Sequence, residues 1–156
     1  GPVLEDRLRI GLFSWRHIPH NVARGVLGLP ILHDRFPFVR FDPTGQSLFL
    51  ISPFLLAIFW AGFKGPWRLA AWAAAFGVLG TFLCYFSTGY VQFGYRYAVE
   101  AMPFLLLLVA SAFDGRVTPL FTWSIRLAVV VNLFGTLWIL NWGRMAHQLL
   151  RAAGLD

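Results

Sequence analysis

Four apolar runs follow one another along the chain, and polar or proline-containing stretches separate them. The runs extend from Leu48 to Phe63, Leu69 to Phe86, Ala98 to Phe113 and Thr122 to Leu140. A helix needs about 20 consecutive apolar residues to cross a membrane. Each run is somewhat shorter than this but close to it, and therefore predicts a membrane-spanning helix. The first run contains Ser52-Pro53, a pair that often starts helices. That run therefore predicts either a kinked span or a helix that begins at Pro53 after a separate approach.

The first 29 residues have a different pattern, with apolar residues three or four positions apart and charged residues between them. The apolar positions in the first half of this segment are Val3, Leu4, Leu8, Leu12 and Trp15. This spacing predicts an amphipathic helix, and Asn21 is predicted to cap a second short helix. Arginine-rich amphipathic helices often lie in the plane of the lipid headgroups. Packing against other helices of a larger protein would give the same pattern, and the sequence leaves both alternatives open.

Residues 30–47 are predicted to form a loop because three prolines interrupt any helix there. Asp42-Pro43-Thr44-Gly45 has the residues of a β-turn. The predicted organisation is therefore amphipathic helices and a loop at 1–47, a four-helix transmembrane region at 48–143 and a short polar tail at 144–156.

The composition favours a membrane protein over a soluble one. Of the 156 residues, 58% are hydrophobic and only 13% are charged, whereas soluble domains have about 25% charged residues. The net charge of +6 comes almost entirely from arginine. Beside such long apolar runs, this charge fits lipid headgroups better than nucleic acid. The predicted fold class is all-α, a polytopic helical membrane protein, with membrane lipid as a partner and no nucleic acid.

A polar cluster, Gly89–Tyr97, lies between the second and third apolar runs. It combines glycines, tyrosines, an amide and Arg96, and Glu100 follows it. Polar groups are costly to place between membrane segments, so they mark candidates for a functional site. The guanidinium of Arg96 has forked donors that match phosphate oxygens. In the alternative interpretation, Arg96 pairs with Glu100 one helical turn later and anchors the third helix.

Other chemistry is less well supported by the sequence. His17 and His20 are three residues apart, but Pro19 lies between them and no third ligand is near, so no metal site is predicted. No serine has an adjacent base that would make it a nucleophile. Cys84 is the only cysteine, which excludes a disulfide within the chain and predicts packing as a small apolar residue.

The stretch Gln92-Phe93-Gly94-Tyr95-Arg96-Tyr97, with Pro103 six residues later, resembles the C-terminal membrane part of the bacterial GT-C glycosyltransferases. These are mannosyltransferase-like proteins that use polyprenyl-phosphate sugars. Gln46-Ser47-Leu48-Phe49 and Ser52-Pro53 also resemble the approach to one of their helices, and the likeness covers roughly residues 30 to 113. In that family the catalytic acidic residue lies in the first extracytoplasmic loop. The resemblance therefore implies a C-terminal fragment of a bacterial inner-membrane enzyme, with the catalytic residue outside this chain.

On this interpretation the cluster binds the polyprenyl-phosphate sugar donor. Arg96 would bind the donor phosphate, and Gly94 would let the backbone approach the ligand. The remaining predicted contacts, to sugar hydroxyls, to the sugar ring or to Arg96 itself, come from Gln92, Tyr95, Tyr97 and Glu100. No catalytic residue and no cofactor is predicted in this chain, although the full-length enzyme could use a divalent metal.

Two questions stay open at this level. The positive-inside rule places the Gly89–Tyr97 loop in the cytoplasm, whereas the resemblance places it outside. The second hypothesis for function is a small non-catalytic membrane subunit or assembly protein, whose first segment docks a partner. If the chain is instead part of a glycosyltransferase, its partners also include the remaining transmembrane helices of a longer chain.

Overall fold

The computed structural model describes residues 2–32, 34, 39–42, 45–89, 92–113 and 117–152. The α-helices in these ranges are α1 (Pro2–Ile10), α2 (Ile18–Gly25), α3 (Leu48–Ile51), α4 (Pro66–Leu83), α5 (Met102–Ser111) and α6 (Pro119–Ala152). Short 3₁₀ helices are formed by Trp15–His17, Pro53–Trp60 and Arg96–Ala101. Two-residue strands β1 (Ile31–Leu32) and β2 (Val39–Arg40) pair antiparallel. The predicted all-α class is confirmed, because 69% of the chain is helical and almost none is strand.

Among the described helices, one is long and apolar enough to cross a membrane. It is α6, over the stretch Pro119–Leu140, judged by its length and composition. This stretch contains the fourth predicted run. The helix continues without a break to Ala152, so the predicted tail is not separated from the preceding helix. The structure does not confirm four membrane spans.

The first apolar run is divided into two short helical pieces. α3 has four residues, and Ser52 leaves the helical conformation with φ −136° and ψ 67° before the 3₁₀ helix starts at Pro53. A residue before proline is disfavoured in the α conformation, because the proline ring crowds its backbone. Of the two alternatives for this run, the structure has the helix that begins at Pro53 and not the kinked span.

The third run begins as a 3₁₀ helix and continues as α5. Pro103 lies in the first turn of α5, where a missing N–H costs no hydrogen bond. α5 has ten residues, about half of the roughly 20 that a span requires. This run is therefore not one continuous α-helix over its predicted length.

α4 and α5 pack against each other and form the centre of the core. Ala71 and Ala75 of α4 are buried in the same cluster as Leu105 and Leu108 of α5. The small side chains of these two alanines allow α4 and α5 to approach closely. A side chain added at Gly77 would meet no atom within 4 Å. Gly77 therefore takes no part in the contact between α4 and α5.

Asn132 and Gly135 of α6 both contact the rest of the molecule. Asn132 donates from Nδ2 to Ile51 O at 2.7 Å and to Ala128 O at 2.8 Å. The side chain of Asn132 therefore bonds across to a neighbouring helix. Three residues later, Gly135 faces the ring of Phe93, and a Cβ at Gly135 would clash with that ring.

Candidate functional site

The C-terminal end of α4 is covered by the segment that precedes α2. The last carbonyls of any helix lack donors within the helix. Here Ser14 N–H donates to Cys84 O at 2.8 Å, and Phe86 N–H donates to Leu12 O at 2.8 Å. These bonds fix residues 12–14 to the end of α4 through the backbone.

Asn21 completes this junction from inside α2. The prediction that Asn21 caps the start of a helix is wrong, because His17 occupies that position. Asn21 is fully buried, and its Nδ2 donates to Leu83 O at 2.8 Å and Tyr85 O at 2.7 Å. Its Oδ1 accepts a hydrogen bond from Arg7 Nη2 at 2.7 Å. Asn21 thus caps the C-terminus of α4 and holds a cation near the negative end of the helix dipole.

Tyr95 belongs to the predicted cluster and packs into the same junction. It is 3% exposed, and its hydroxyl donates to Phe82 O at 3.3 Å. The ring lies over Gly25, where an added Cβ would come within 2.8 Å of Tyr95 Cγ. Burial and the neighbouring Tyr97 raise the pKa of Tyr95 to about 12, and Arg7 opposes this rise. Tyr95 is therefore a neutral packing residue at physiological pH.

Tyr97 is half-buried among three other aromatic rings. It stacks on Phe82 with ring centroids 4.8 Å apart and meets Tyr85 and Tyr95 edge-on at 5.8 and 5.9 Å. The guanidinium carbon of Arg96 lies 5.5 Å from the Tyr97 ring centroid, within the range of a cation–π contact. The packed rings hold the aromatic surface against which Arg96 rests.

Arg96 itself is exposed, and so is Glu100. In the part of the chain that the structure describes, no ion pair joins these two side chains. The predicted pairing of Arg96 with Glu100 is therefore not observed. The exposed guanidinium of Arg96 lies over the ring of Tyr97, which is packed among other aromatic rings.

Gln92 and Gly94 lie inside the molecule. Gln92 is 8% exposed and donates from Nε2 to Thr88 O at 2.6 Å. Gly94 has a φ of 83°, and a Cβ at this position would clash with Ile51 Cδ1. The glycine is thus required by the close approach of α3. Of the predicted cluster, Tyr90 and Val91 lie outside the described residues.

The sequence reasoning did not single out a buried amide next to this cluster. Gln46 is fully buried, and within the described ranges neither polar atom of its side chain has a hydrogen-bond partner. It follows the predicted turn, in which Gly45 N–H donates to Asp42 O at 3.1 Å. A buried polar group without a partner costs about 1–3 kcal/mol, and such groups are often found at functional sites. The sequence signal for this residue is the Gln46-Ser47 pair directly after the predicted turn.

The basic side chains Arg7, His17, His20 and Arg24 lie near one another in the first segment. His17 is buried, with Nε2 2.9 Å from Gly11 O, and Arg24 forms an ion pair with Asp42. Burial, followed by the charges of Arg7, Arg24 and His17, lowers the pKa of His20. No group of three or more His, Cys, Asp or Glu side chains that could hold a metal ion occurs among the described residues.

No protein-family model, curated protein or solved structure matches this chain. The resemblance to the GT-C glycosyltransferases therefore has no support beyond the short motifs that carry it. The geometry separates the candidate residues into two groups. Arg96 and Glu100 are exposed, whereas Gln92, Gly94 and Tyr95 are buried and Tyr97 is half-buried.

Proposed function

We propose that the chain is the carboxyl-terminal part of an integral membrane glycosyltransferase of the bacterial inner membrane. In this proposal the enzyme transfers a sugar from a polyprenyl-phosphate donor, and this part contributes four spans and contacts to the donor phosphate and lipid. The catalytic carboxylate lies in another part of the enzyme. The observation that carries the proposal is the exposed guanidinium of Arg96, which rests on Tyr97 without a carboxylate bound to it in the described structure.

The environment of Arg96 suits a phosphate ligand. A guanidinium forms paired hydrogen bonds to two phosphate oxygens, and Arg96 is exposed, with its guanidinium carbon 5.5 Å from the Tyr97 ring centroid. Because Tyr97 is held by neighbouring rings, less conformational entropy is lost when a ligand fixes the arginine. During transfer, negative charge develops on the departing polyprenyl phosphate. A fixed cation at this point stabilises that charge.

The outward surface of α6 supports the membrane part of the proposal. Its most exposed apolar side chains, all more than half accessible, are Leu120, Trp123, Val129, Val130 and Leu133. An apolar surface of this extent is costly in water and favourable in lipid. Trp123 also stacks with Arg126 at 4.8 Å, a combination typical of membrane interfaces.

The test is Arg96→Ala in the full-length enzyme, with Arg126→Ala as the matched control. Both arginines are exposed and lie over an aromatic ring. Arg126→Ala therefore measures the effect of losing a stacked cation outside the candidate site. We expect Arg96→Ala to slow sugar transfer by about 100-fold or more, the usual effect of removing one charge-stabilising donor. Arg96→Lys should retain part of the activity, and Arg126→Ala nearly all of it. Wild-type turnover in Arg96→Ala would refute the proposal.

A second candidate, a non-catalytic membrane subunit, is favoured by one observation. The side chains of Leu12, Phe13 and Trp15 are 55%, 60% and 72% exposed, as expected of a segment that docks on something else. The native reading frame upstream of Val3 distinguishes the candidates. Further apolar spans and an acidic residue in the first outer loop would favour the transferase, and a start codon directly before Val3 would favour the subunit.

A further inference from the structure

The segment from Arg7 to Leu32 has an unusual charge pattern. It contains four arginines and no aspartate or glutamate. Two of the arginines have partners inside the molecule, since Arg7 binds Asn21 and Arg24 pairs with Asp42. The other two, Arg9 and Arg16, are exposed. Positive charge on this surface is therefore not balanced by nearby carboxylates of the segment itself.

Exposed apolar side chains lie between these two arginines. Leu12, Phe13 and Trp15 are each more than half exposed, and Arg16 lies 5.8 Å from the centroid of the Trp15 ring. Indole rings and arginines occur together where one side of a contact is apolar and the other carries phosphate.

The backbone that carries Leu12 and Phe13 is held in place. The backbone on either side of Phe13 is bonded to the end of α4, through Ser14 N–H to Cys84 O and Phe86 N–H to Leu12 O. Phe13 contacts Tyr85 with ring centroids 5.2 Å apart. The exposed surface is thus a fixed feature of the fold, and binding to it requires little ordering of the chain.

We infer that Arg9, Leu12, Phe13, Trp15 and Arg16, here called the Trp15 surface, bind the headgroup layer of an anionic lipid membrane. The apolar side chains enter the boundary between headgroups and acyl chains, and the two arginines contact lipid phosphates. Charge complementarity selects this occupant, because the two charged side chains among the five, Arg9 and Arg16, are both positive and the other three are apolar. The inference does not depend on the glycosyl transfer proposed above.

The experiment uses a label at position 12 of the full chain. Cys84 is the only cysteine, so Leu12→Cys in a Cys84→Ser background accepts one environment-sensitive fluorophore. The protein is reconstituted in phosphatidylcholine membranes with increasing fractions of phosphatidylglycerol. We expect the emission to shift to the blue, and quenching by brominated acyl chains to rise, as phosphatidylglycerol increases. High salt should reverse part of this change, because it screens the headgroup charge.

Two variants make the test specific. Arg16→Gln removes an arginine stacked on Trp15, and Arg126→Gln removes one stacked on Trp123. We expect Arg16→Gln to weaken interfacial binding of the label about fivefold, the effect of one arginine near an anionic surface. Arg126→Gln should leave it unchanged.

Two results would overturn the inference. One is a label that stays exposed to water at every lipid composition. The other is a label that is shielded equally in detergent and in pure phosphatidylcholine and does not respond to Arg16→Gln. That second result would assign the Trp15 surface to contact with another protein segment or a second copy of the chain.

Discussion

Replacing Asn21 with alanine tests the proposed junction between the first segment and α4. The two amide hydrogens of Asn21 face three carbonyls, and its Nδ2 lies 2.7 Å from Tyr85 O, 2.8 Å from Leu83 O and 3.4 Å from Phe82 O. Phe82 O keeps a contact with the Tyr95 hydroxyl, so two carbonyls lose their side-chain donor. Each buried group left without a partner costs about 1–3 kcal/mol.

We therefore expect Asn21→Ala to lower the free energy of unfolding by about 2–6 kcal/mol. That is a large fraction of the roughly 5–15 kcal/mol by which folded domains are stable. The measurement is unfolding of the full chain in a mild detergent, followed by circular dichroism. Asn132→Ala is the matched control, because Asn132 makes one bond to another helix, 2.7 Å to Ile51 O. It should cost only about 1 kcal/mol.

The role of Arg7 is measured in the same assay by a double-mutant cycle. Arg7 Nη2 binds Asn21 Oδ1, so the effects of Arg7→Ala and Asn21→Ala should not add, and the coupling should be about 0.5–3 kcal/mol. Arg9 is exposed on the same helix and should show no coupling. If Asn21→Ala and Asn132→Ala have equal effects, or if the cycle gives no coupling with Arg7, the capping role of Asn21 is refuted.

Two further predictions concern a glycine and a histidine of the candidate site. Gly94→Ala should destabilise the fold by about 1–3 kcal/mol, because of its φ of 83° and the adjacent Ile51 side chain. Gly77→Ala, in an open position of α4, should stabilise it by about 0.5–1 kcal/mol, and equal thermal shifts in the two variants would contradict this reasoning. Burial and neighbouring positive charges lower the pKa of His20, so the unfolded chain binds this proton more readily. Stability should then fall as the pH drops below about 6.5, the ordinary pKa of histidine. His20→Gln should reduce this pH dependence. An unchanged pH profile of unfolding in that variant would refute the role of His20.

The helices that the sequence predicted best are those with the longest uninterrupted apolar runs. α4 covers most of the second run and α6 covers all of the fourth, although α6 continues beyond that run to Ala152. The break at Ser52 was also visible, because the Ser-Pro pair is a local signal. The prediction that Asn21 caps the start of a helix is wrong for the opposite reason. Its side chain binds carbonyls more than 60 positions away, and a local capping preference contains no information about such a contact.

The candidate site shows the same limit. The predicted pairing of Arg96 with Glu100 assumed an α-helix, in which residues four apart lie on one face. The structure has a 3₁₀ helix over Arg96–Ala101, where residues three apart are aligned instead. Glu100 is consequently displaced from the face of Arg96. The arginine rests on Tyr97, a contact between adjacent residues that no periodicity rule predicts.

Two contacts of α6 fix its position along the helix axis. Asn132 binds Ile51 O, and Gly135 receives the ring of Phe93, three residues further along. Sliding α6 along its axis by one turn, about 5.4 Å, would break both contacts at once. The level of Trp123 and Arg126 relative to the Gly89–Tyr97 cluster is therefore set by the ten residues from Trp123 to Asn132. An insertion between them would move the aromatic end of α6 and leave the cluster in place, so the depth of one end can change independently of the site.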